Sequence, residues 1–252
     1  MISKQILYKI YLLSNAVKDD RYLVISDEQI PFHHPKGLDF LKYCKRHFNI
    51  PNDHCYHVGD ELDQYWGGMY KQSPEATHTP NSEIAESLEQ MKLRYEAFPI
   101  MRVCISNHGT RWMRKAFEMG IPTQLMRRYQ DVIEAPKTWQ WDKKWLVRSR
   151  SPFIVEHGDR FGGQHPHISA AIDNGISTVI GHHHCVAGIR HIRTQDYHPE
   201  FKAGFDIWGA ASGSLIDFEK YAFNYAHAAR RKPKLGCIVV LDSGKFPIWV
   251  PI

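Results

Sequence analysis

The 252-residue sequence has no apolar run of the length that a membrane-spanning helix requires, which is about 20 residues. The apolar stretch near its N-terminus, ILYKIYLL at 6–13, is interrupted by Lys9 and lacks a small-residue cleavage site. This stretch therefore predicts a helix over residues 2–16 rather than a signal peptide. We expect a cytoplasmic protein that does not contact a membrane.

Cysteine is also scarce, and its number is odd. The five cysteines lie mostly in segments whose pattern predicts strands or helices; they are Cys44, Cys55, Cys104, Cys185 and Cys237. Small secreted domains depend on disulfides, whereas cytoplasmic proteins keep their thiols reduced. A scattered and odd set of this kind indicates reduced core residues rather than a disulfide framework.

Internal repeats, low-complexity segments and a strong net charge are absent as well. Apolar residues make up 43% of the chain and charged residues 23%, which is ordinary for a soluble globular enzyme. The length is sufficient for one substantial core. The net charge of +5 permits a phosphate-bearing partner but does not demand one.

The sequence does contain five short apolar runs that each stop at a polar cluster. The runs are YLVIS at 22–26, CYHV at 55–58, MRVCIS at 101–106, FIVE at 153–156 and STVI at 177–180. The clusters are Asp27-Glu28-Gln29, Gly59-Asp60-Glu61-Leu62-Asp63, Ser106-Asn107-His108, His157-Gly158 and Gly181-His182-His183-His184. Such runs predict buried strands that deliver polar side chains to one sheet edge. Asp, Asn and His are the ligands that two adjacent divalent metal ions need.

The order of these clusters resembles the calcineurin-like metallophosphoesterases, whose pattern is D-x-H, GDxxD, GNH, a strand-borne His-Gly and GHxH. The matched span is 27–184, about three quarters of the chain. The chain departs from the pattern at two positions. Gln29 stands where the family usually has a His ligand, and Ser106 replaces the Gly before Asn-His.

The resemblance implies two metal sites that share one carboxylate. Asp27, Gln29, Asp60 and His184 would surround one ion, and the other would be surrounded by Asp60, Asn107, His157 and His182. A Gln carbonyl is a weaker ligand for zinc than imidazole and suits manganese or magnesium better. Manganese is therefore the best match, with magnesium, iron or zinc as alternatives. Asp27 and Gln29 are two residues apart, and so are His182 and His184. The side chains of each pair would point to one face if the backbone were extended.

The resemblance also makes His108 the catalytic His, able to protonate the leaving oxygen or to stabilise charge on it. Arg111, three residues later, is the best candidate for a phosphate contact. Asp63 either supports the site or, like Asp60, caps a helix. Alternative roles stay open for a few further residues near the clusters. His33 and His34 could replace a missing ligand or shape a loop, His165 and His167 have the same ambiguity, and Asp159 stands where many relatives carry a second His.

The pattern along the chain predicts an α/β protein. Helices are expected from Pro35, at the first helical position, to about Phe48, and over 84–98, where apolar residues recur at helical spacing. Residues 64–82 predict an active-site loop, and 111–130 a basic helical stretch that Pro122 interrupts. Strands dominate after 185, so two mixed sheets should pack face to face with helices outside. The resemblance makes this a single four-layer metallophosphoesterase domain over 1–252, with insertions near 64–100 and 111–150.

Basic and aromatic clusters leave two interpretations open. The first basic cluster is Arg111, Arg114, Lys115, Arg127 and Arg128, and the second is Arg230, Arg231, Lys232 and Lys234. Either cluster could grip a phosphate backbone, although most such runs are solvated faces. Trp139, Trp141 and Trp145, expected just before a strand, could stack on bases, but dense aromatics are more often core or interface.

We therefore expect a two-metal phosphoesterase acting on a nucleotide or on nucleic acid such as DNA. The order of clusters also resembles SbcD-type nucleases, and more weakly phosphoesterases encoded by bacteriophages, which would place the protein in a host cytoplasm. A nucleotide phosphatase, a cyclic-nucleotide phosphodiesterase and a non-nucleotide phosphatase remain alternatives. A protein phosphatase is disfavoured because GDELDQ at 59–64 lacks the expected Val-Asp-Arg-Gly continuation. A scaffold without catalysis is the other class, and Gln29 favours it.

Overall fold

The structure is a computed structural model that describes residues 19–68, 71–193, 206–224 and 230–252. The helix predicted over 2–16 lies outside the described residues. All five strands predicted before the polar clusters are confirmed. The described strands are β1 (Tyr22–Ile25), β2 (Cys55–His57), β3 (Met101–Cys104), β4 (Trp139–Asp142), β5 (Lys144–Val147), β6 (Phe153–Glu156), β7 (Ser177–Ile180), β8 (Ala187–Arg193), β9 (Asp206–Ser212), β10 (Gly236–Leu241) and β11 (Phe246–Pro251).

These strands form two mixed sheets. The first has six strands in the order β11-β10-β1-β2-β3-β4; β1 to β4 run parallel, and β10 and β11 are antiparallel to their neighbours. The second has five strands in the order β5-β6-β7-β9-β8, with β6, β7 and β9 parallel and the outer two antiparallel. The α/β class and the two mixed sheets agree with the prediction.

The two sheets share a hydrophobic core. Alternate residues of each strand point to opposite faces, so β1 directs Val24 to one side and Leu23 and Ile25 to the other. On the Val24 side the cluster combines Tyr56 and Cys104 of the first sheet with Val155, Val179 and Trp208 of the second. On the Leu23 side the first sheet packs against helical residues that include Leu41 and Met91. The facing sheets with helices outside match the predicted arrangement.

Five α-helices are described: α1 (Gly37–His47), α2 (Pro80–Ala97), α3 (Arg111–Glu118), α4 (Tyr129–Val132) and α5 (Pro166–Asn174). The prediction that α1 begins at Pro35 is wrong, because Lys36 is the N-cap and Pro35 precedes it. Helix α2 includes the last three residues of the predicted loop, 80–82, and Thr79 and Ser82 form a capping box at its start. None of the described helices combines the length and apolar character needed to cross a bilayer.

The tryptophans lie in strands rather than before one, which corrects the prediction. Trp139 and Trp141 belong to β4, and Trp145 belongs to β5. Each indole donates a hydrogen bond inside the protein, to Phe98 O at 2.7 Å, Glu61 Oε1 at 2.9 Å and Val103 O at 2.9 Å respectively. Trp139 is buried in the core, and Trp141 and Trp145 are partly buried against it. Four of the five cysteine thiols are buried in the core as expected, and Cys185 is half-buried.

Helix α2 buries a polar stripe that its apolar spacing does not reveal. Glu83, Ser87 and Arg94 are each less than 4% exposed, whereas Ile84 and Leu88 are only partly buried. Glu83 Oε1 accepts the backbone N–H of Tyr65 at 2.8 Å. The Ser87 hydroxyl lies 3.4 Å from Ile30 O, and Arg94 binds Glu28, so both contact the segment that follows β1. This stripe therefore holds the loops after β1 and β2 in place.

The burial of Glu83 has a measurable consequence. Burial raises the pKa of Glu83 to about 7, outweighing the hydrogen bond from Tyr65. The folded state therefore binds this proton more tightly than the unfolded state, and stability falls as pH rises from about 4 to about 7. At 1.36 kcal/mol per pKa unit, the rise from 4.5 to about 7 corresponds to a penalty of about 3 kcal/mol above pH 7. We expect Glu83→Gln to stabilise the protein by up to that amount at pH 8 and not at pH 4.

Urea unfolding of both proteins at pH 4 and pH 8 measures this difference. Glu89→Gln is the control, because Glu89 lies exposed on the same helix beside Lys92 and should change stability by less than about 1 kcal/mol. An equal effect of Glu83→Gln at the two pH values would show that Glu83 does not titrate in this range.

Candidate metal centre

The predicted ligands lie at the carboxyl ends of parallel strands from both sheets. In the first sheet Asp27 follows β1, Asp60 follows β2 and Asn107 follows β3. In the second sheet His157 follows β6, and the segment with His182 and His184 follows β7. Since the two sheets face each other, these ends converge on one place. The structure therefore brings all seven predicted ligands, with Gln29 described below, into one cluster.

The first group of ligand atoms surrounds the space between β2, β3, β6 and β7. Asp60, His157 and His182 each offer a ligand atom within 4.8 Å of the other two. Asn107 Oδ1 lies 2.7 Å from His157 Nε2 and 3.1 Å from His182 Nδ1. His157 Nε2 is 3.5 Å from Asp60 Oδ2. Four polar atoms therefore converge on a space of the size that one divalent ion occupies.

The second group shares Asp60 with the first. Asp27, Asp60 and His184 again have ligand atoms within 4.8 Å of one another. Gln29 lies at the same place, with its Nε2 3.2 Å from His184 Nε2 and 3.5 Å from His108 Nε2. Gln29 Oε1 is buried without a hydrogen-bond partner. A half-turn of the amide, whose two ends are nearly identical in shape, would put this oxygen beside His184 in the position of a ligand.

Backbone conformation differs from the extended chain that the two-residue spacing predicted. Gln29, Asp60 and His182 have φ values of 50°, 56° and 63°, in the left-handed region that non-glycine residues rarely adopt. The side chains of each pair therefore meet through turns beyond the strand ends, not through strand alternation. Backbone strain of this kind gathers at functional sites, where surrounding contacts maintain it. One contact of this kind is the hydrogen bond from the Gln29 N–H to Asp60 O, at 2.8 Å, which joins two of the turns.

Two glycines allow the close approach of the segments. Gly59 has a φ of 101°, and a Cβ atom there would lie 2.6 Å from Ser106 Cβ. A Cβ atom at Gly181 would lie 2.3 Å from Val58 Cγ2 and 3.0 Å from Asp27 Oδ1. Any side chain at either position would push the ligand segments apart.

The protonation states suit bound cations. Burial, together with the neighbouring imidazole of His157, lowers the pKa of His182 to about 4, and burial lowers that of His184 to about 3. Both rings are therefore neutral near pH 7, as metal ligation requires. Although burial opposes its ionisation, nearby His108 and His157 hold the pKa of Asp60 below its usual range.

Asp27 provides the direct test of whether this donor set fits a metal. Burial and the adjacent Asp60 raise the pKa of Asp27, because two neighbouring buried carboxylates repel each other. Asp27 Oδ1 is also buried without a hydrogen-bond partner. A buried acceptor without a partner is costly. A cation shared with Asp60 would both offset the repulsion between the two carboxylates and give the Asp27 carboxylate a partner. The donor set therefore fits divalent cations.

His157 is held in the orientation that a ligand needs. Its Nδ1 lies 3.0 Å from the carbonyl oxygen of Val58, to which it donates. The lone pair is consequently on Nε2, which faces Asn107 and Asp60. Backbone carbonyls that accept the second N–H of a histidine fix its tautomer in this way at metal sites.

His108, Asp63 and Arg111 form one hydrogen-bonded unit at the edge of the candidate centre. His108 Nδ1 lies 2.7 Å from Asp63 O and 3.2 Å from Asp63 Oδ1, so Nε2 faces the pocket. Arg111 Nη1 donates to Asp63 O at 2.8 Å, and its Nη2 lies 2.5 Å from His108 Nε2. Asp63 lies in the loop before a short 3-10 turn and caps no helix. It holds the other two side chains instead.

Ser106 is an unpredicted contributor. Its hydroxyl accepts the backbone N–H groups of Asp60 at 2.9 Å and Gly109 at 3.1 Å. The residue that departs from the family pattern therefore fixes the shared carboxylate's backbone.

A buried charged cluster behind the centre was also not predicted. Glu28, between Asp27 and Gln29, is 1% exposed, and Arg94 of α2 donates to its Oε1 at 3.0 and 3.3 Å. His57 Nδ1 accepts the N–H of Gly59 at 3.1 Å, so its protonated Nε2 faces Glu28 Oε2 at 3.5 Å. Helix spacing alone cannot reveal this pair, since Arg94 would be expected on a solvated face.

The other histidines considered as ligands lie elsewhere. The segment of His33 pairs with Ile216, and His34 Nδ1 accepts the N–H of Lys36 at 3.3 Å. His165 and His167 line a separate groove described below. Asp159 is exposed. None of these five residues belongs to either ligand group found among the described residues.

A pocket of about 760 Å³ opens above the two ligand groups. Its wall includes His108, Arg111, Tyr65, Tyr221 and Lys71 in addition to the ligands. Comparison with models of known protein families gives no match, and comparison with curated proteins gives no significant match.

Proposed function

We propose that the chain is a two-metal phosphoesterase of the calcineurin-like type, with that family's four-layer arrangement as a single domain. The observation that carries the proposal is the pair of ligand groups that share Asp60. A shared carboxylate is what holds two cations close together, and two-metal phosphatases and nucleases use ions about 3.5–4 Å apart. Asp60, Asn107, His157 and His182 would hold one ion, and Asp27, Gln29, Asp60 and His184 would hold the other.

When bound, two such ions activate a water molecule and neutralise the phosphoryl oxygens of the substrate. The protein supplies a buried, preorganised set of donors for this purpose. Asp27 and Asp60 are the two carboxylates, so two divalent ions leave the centre net positive, which favours an anionic substrate. We infer manganese as the best match, since one imidazole is replaced by a neutral amide oxygen.

His108, Asp63 and Arg111, which lie beside the two ligand groups, would protonate the leaving group and contact the phosphate. As water adds to phosphorus and the ester P–O bond breaks, the leaving oxygen requires a proton, and His108 Nε2 faces the pocket where that oxygen would lie. Burial lowers the pKa of His108, but Asp60 and Asp63 outweigh it, so the net pKa is raised. In the structure Arg111 Nη2 donates to the same Nε2, so an acid role of Nε2 requires Arg111 to turn away, as it would on contacting a phosphoryl oxygen. Arg111, which lines the pocket, would contact a phosphoryl oxygen, and Asp63 positions both side chains.

The test is metal binding followed by an activity screen. Protein stripped of metal and titrated with Mn²⁺ should bind two ions per chain. Asp60→Asn should reduce binding at both sites and abolish activity, because both groups share this carboxylate. Asp159→Asn, an exposed carboxylate next to the His157 segment, should change neither. The screen compares a chromogenic phosphodiester, a phosphomonoester, and single- and double-stranded DNA.

The outcomes separate the alternatives. Binding of no divalent ion under saturating conditions would contradict the proposal. Two bound ions without hydrolysis of any ester would favour a scaffold that has lost catalysis. Hydrolysis of the monoester alone would favour a phosphatase over a phosphodiesterase or nuclease.

Gln29 provides a prediction about metal preference. Gln29→His should tighten the second site and shift its preference from manganese toward zinc, because imidazole is the better zinc ligand. Histidine also tolerates the left-handed backbone of this position better than most residues. Calorimetric titration with Mn²⁺ and Zn²⁺ measures the change. Gln64→His is the matched control, since Gln64 is equally buried and has a φ of 53° but belongs to neither ligand group. Identical titrations of Gln29→His and the wild type would show that Gln29 is not a ligand.

A further inference from the structure

A groove of about 680 Å³ lies next to the candidate centre, and its charged side chains are all basic. Five basic residues line it, Arg190 from β8 and Arg230, Arg231, Lys232 and Lys234 from the segment before β10. No carboxylate is among the described residues that line it. The groove should therefore attract an anion along its whole length. A groove whose charges are all of one sign also concentrates the electric field.

The groove adjoins the pocket above the ligand groups. Cys185 and Pro233 line both cavities. The basic segment is also joined to the ligand segment, because the Lys234 N–H donates to His184 O at 2.7 Å and the Cys185 thiol donates to Arg231 O at 3.1 Å. The backbone that carries the basic residues of the groove is therefore fixed relative to His184.

The recessed position of the ligand groups favours a flexible, single-stranded substrate. Asp27, Asp60 and His157 are at most 2% exposed, so a phosphate must enter a recess to reach them. A single strand can direct one phosphate inward while its neighbours follow the surface. A duplex carries its phosphates on the outside of a rigid cylinder and cannot do this without unpairing. The pocket wall also includes Tyr65 and Tyr221, and aromatic rings next to a basic groove are the usual elements of single-strand binding sites.

We propose that the groove binds the phosphates of a single-stranded nucleic acid next to the one that lies at the candidate centre. This inference rests on the proposed function and narrows it to a phosphodiesterase that acts on oligonucleotides rather than on mononucleotides. Arg190 and Arg231 contact phosphates on the two sides of the groove.

The experiment compares substrates of different length in the wild type and in the double variant Arg190→Gln/Arg231→Gln. The substrates are the dinucleotide (dT)₂, the oligonucleotide (dT)₁₂, a 12-base-pair duplex and a chromogenic phosphodiester. The control is Arg46→Gln, since Arg46 is an exposed arginine in a separate basic hollow with Lys42 and Lys45. Fluorescence anisotropy of labelled (dT)₁₂ measures binding without reference to turnover.

The wild type should have a kcat/KM for (dT)₁₂ at least about tenfold above that for (dT)₂, and should bind (dT)₁₂ more tightly than the duplex. The double variant should raise KM and Kd for (dT)₁₂ about tenfold or more and leave the chromogenic ester unaffected. The slope of log Kd against log salt should become shallower by about 0.7 for each single-strand phosphate that the variant no longer neutralises. Arg46→Gln should behave like the wild type.

Several results would overturn the inference. They are equal kcat/KM for the two oligomers, preferential binding of the duplex, an equal effect of Arg46→Gln, and competition by inorganic polyphosphate as strong as that by (dT)₁₂. If the chromogenic ester is hydrolysed and any of these holds, the groove inference fails while the proposed function stands. If no ester is hydrolysed but (dT)₁₂ binds with the predicted dependence on Arg190 and Arg231, the proposed function fails and the groove still binds the strand.

Discussion

Replacing His108 with alanine is expected to lower turnover about 10²–10⁴-fold, the usual contribution of a general acid, while both metal sites still bind. The reason is its geometry. Nδ1 is fixed by Asp63 O at 2.7 Å, and Nε2 faces the pocket beside Arg111 rather than either ligand group. Steady-state kinetics with Mn²⁺, together with metal analysis of the variant, measures both parts of the prediction.

Leaving-group dependence distinguishes an acid from a positioning residue. A nitrophenolate leaves without much protonation, so the loss should shrink for nitrophenyl esters compared with alkyl esters. A uniform loss would assign His108 to positioning or charge stabilisation, and unchanged activity with metals bound would remove it from the mechanism. His34→Ala is the control, because His34 lies outside the pocket and both ligand groups and should keep full activity.

Replacing Arg94 with methionine is expected to destabilise the fold by about 3–5 kcal/mol, because it leaves Glu28 charged, buried and without a strong partner. Arg94 donates two hydrogen bonds to Glu28 Oε1, at 3.0 and 3.3 Å, and both side chains are about 2% exposed. Urea unfolding at pH 7 measures the loss. The exposed pair of Arg128 and Asp131 provides the control, since Arg128→Met should cost less than about 1 kcal/mol.

The pH dependence of stability gives a second test of the same pair. Burial opposes the charge of Glu28, but Arg94 and His57 outweigh it and lower its pKa to about 2. A lowered carboxyl pKa contributes stability above the unfolded value of about 4.5, and this contribution is lost as pH falls toward about 2. The wild type should therefore lose stability between pH 5 and pH 2, whereas Arg94→Met should lose much less. The double variant Glu28→Gln/Arg94→Met should recover much of the stability at pH 7. Equal stability of Arg94→Met and the wild type at pH 7 would contradict the prediction.

The strands and the order of the ligands could be predicted from the sequence because both signals are local. Each strand is a short apolar run, and each ligand cluster follows directly, so Asp27, Asp60 and His157 could be assigned without knowing which strands pair. The positions of Trp139 and Trp141 inside β4, where they are buried and half-buried respectively, could not be assigned, because a strand with alternating burial and a loop rich in aromatics have similar local patterns.

The residues that hold the ligands in place, such as Arg94 and Ser106, could not be predicted from the sequence for a different reason. Arg94 is buried because it pairs with Glu28, 66 residues earlier in the chain. A local sequence pattern cannot predict a pair of residues so far apart. The sequence marks Ser106 only as a departure from the pattern before Asn107, whereas its hydroxyl makes hydrogen bonds that a glycine could not make. The left-handed backbone at Gln29 and Asp60 likewise depends on contacts between segments, so spacing alone suggested an extended chain.

The division of the ligands between the sheets also determines when the centre can form during synthesis. Each ligand group combines carboxylates that follow strands of the first sheet with imidazoles that follow strands of the second. The first sheet is itself completed late, because β1 pairs with β10 near residue 240, and the His184 carbonyl is bonded to Lys234. A nascent chain on the ribosome thus exposes Asp27 and Asp60 long before the imidazoles join them. On the proposed function, tight retention of a cation would await the last strands, so metal loading would be an event of the released, fully folded chain.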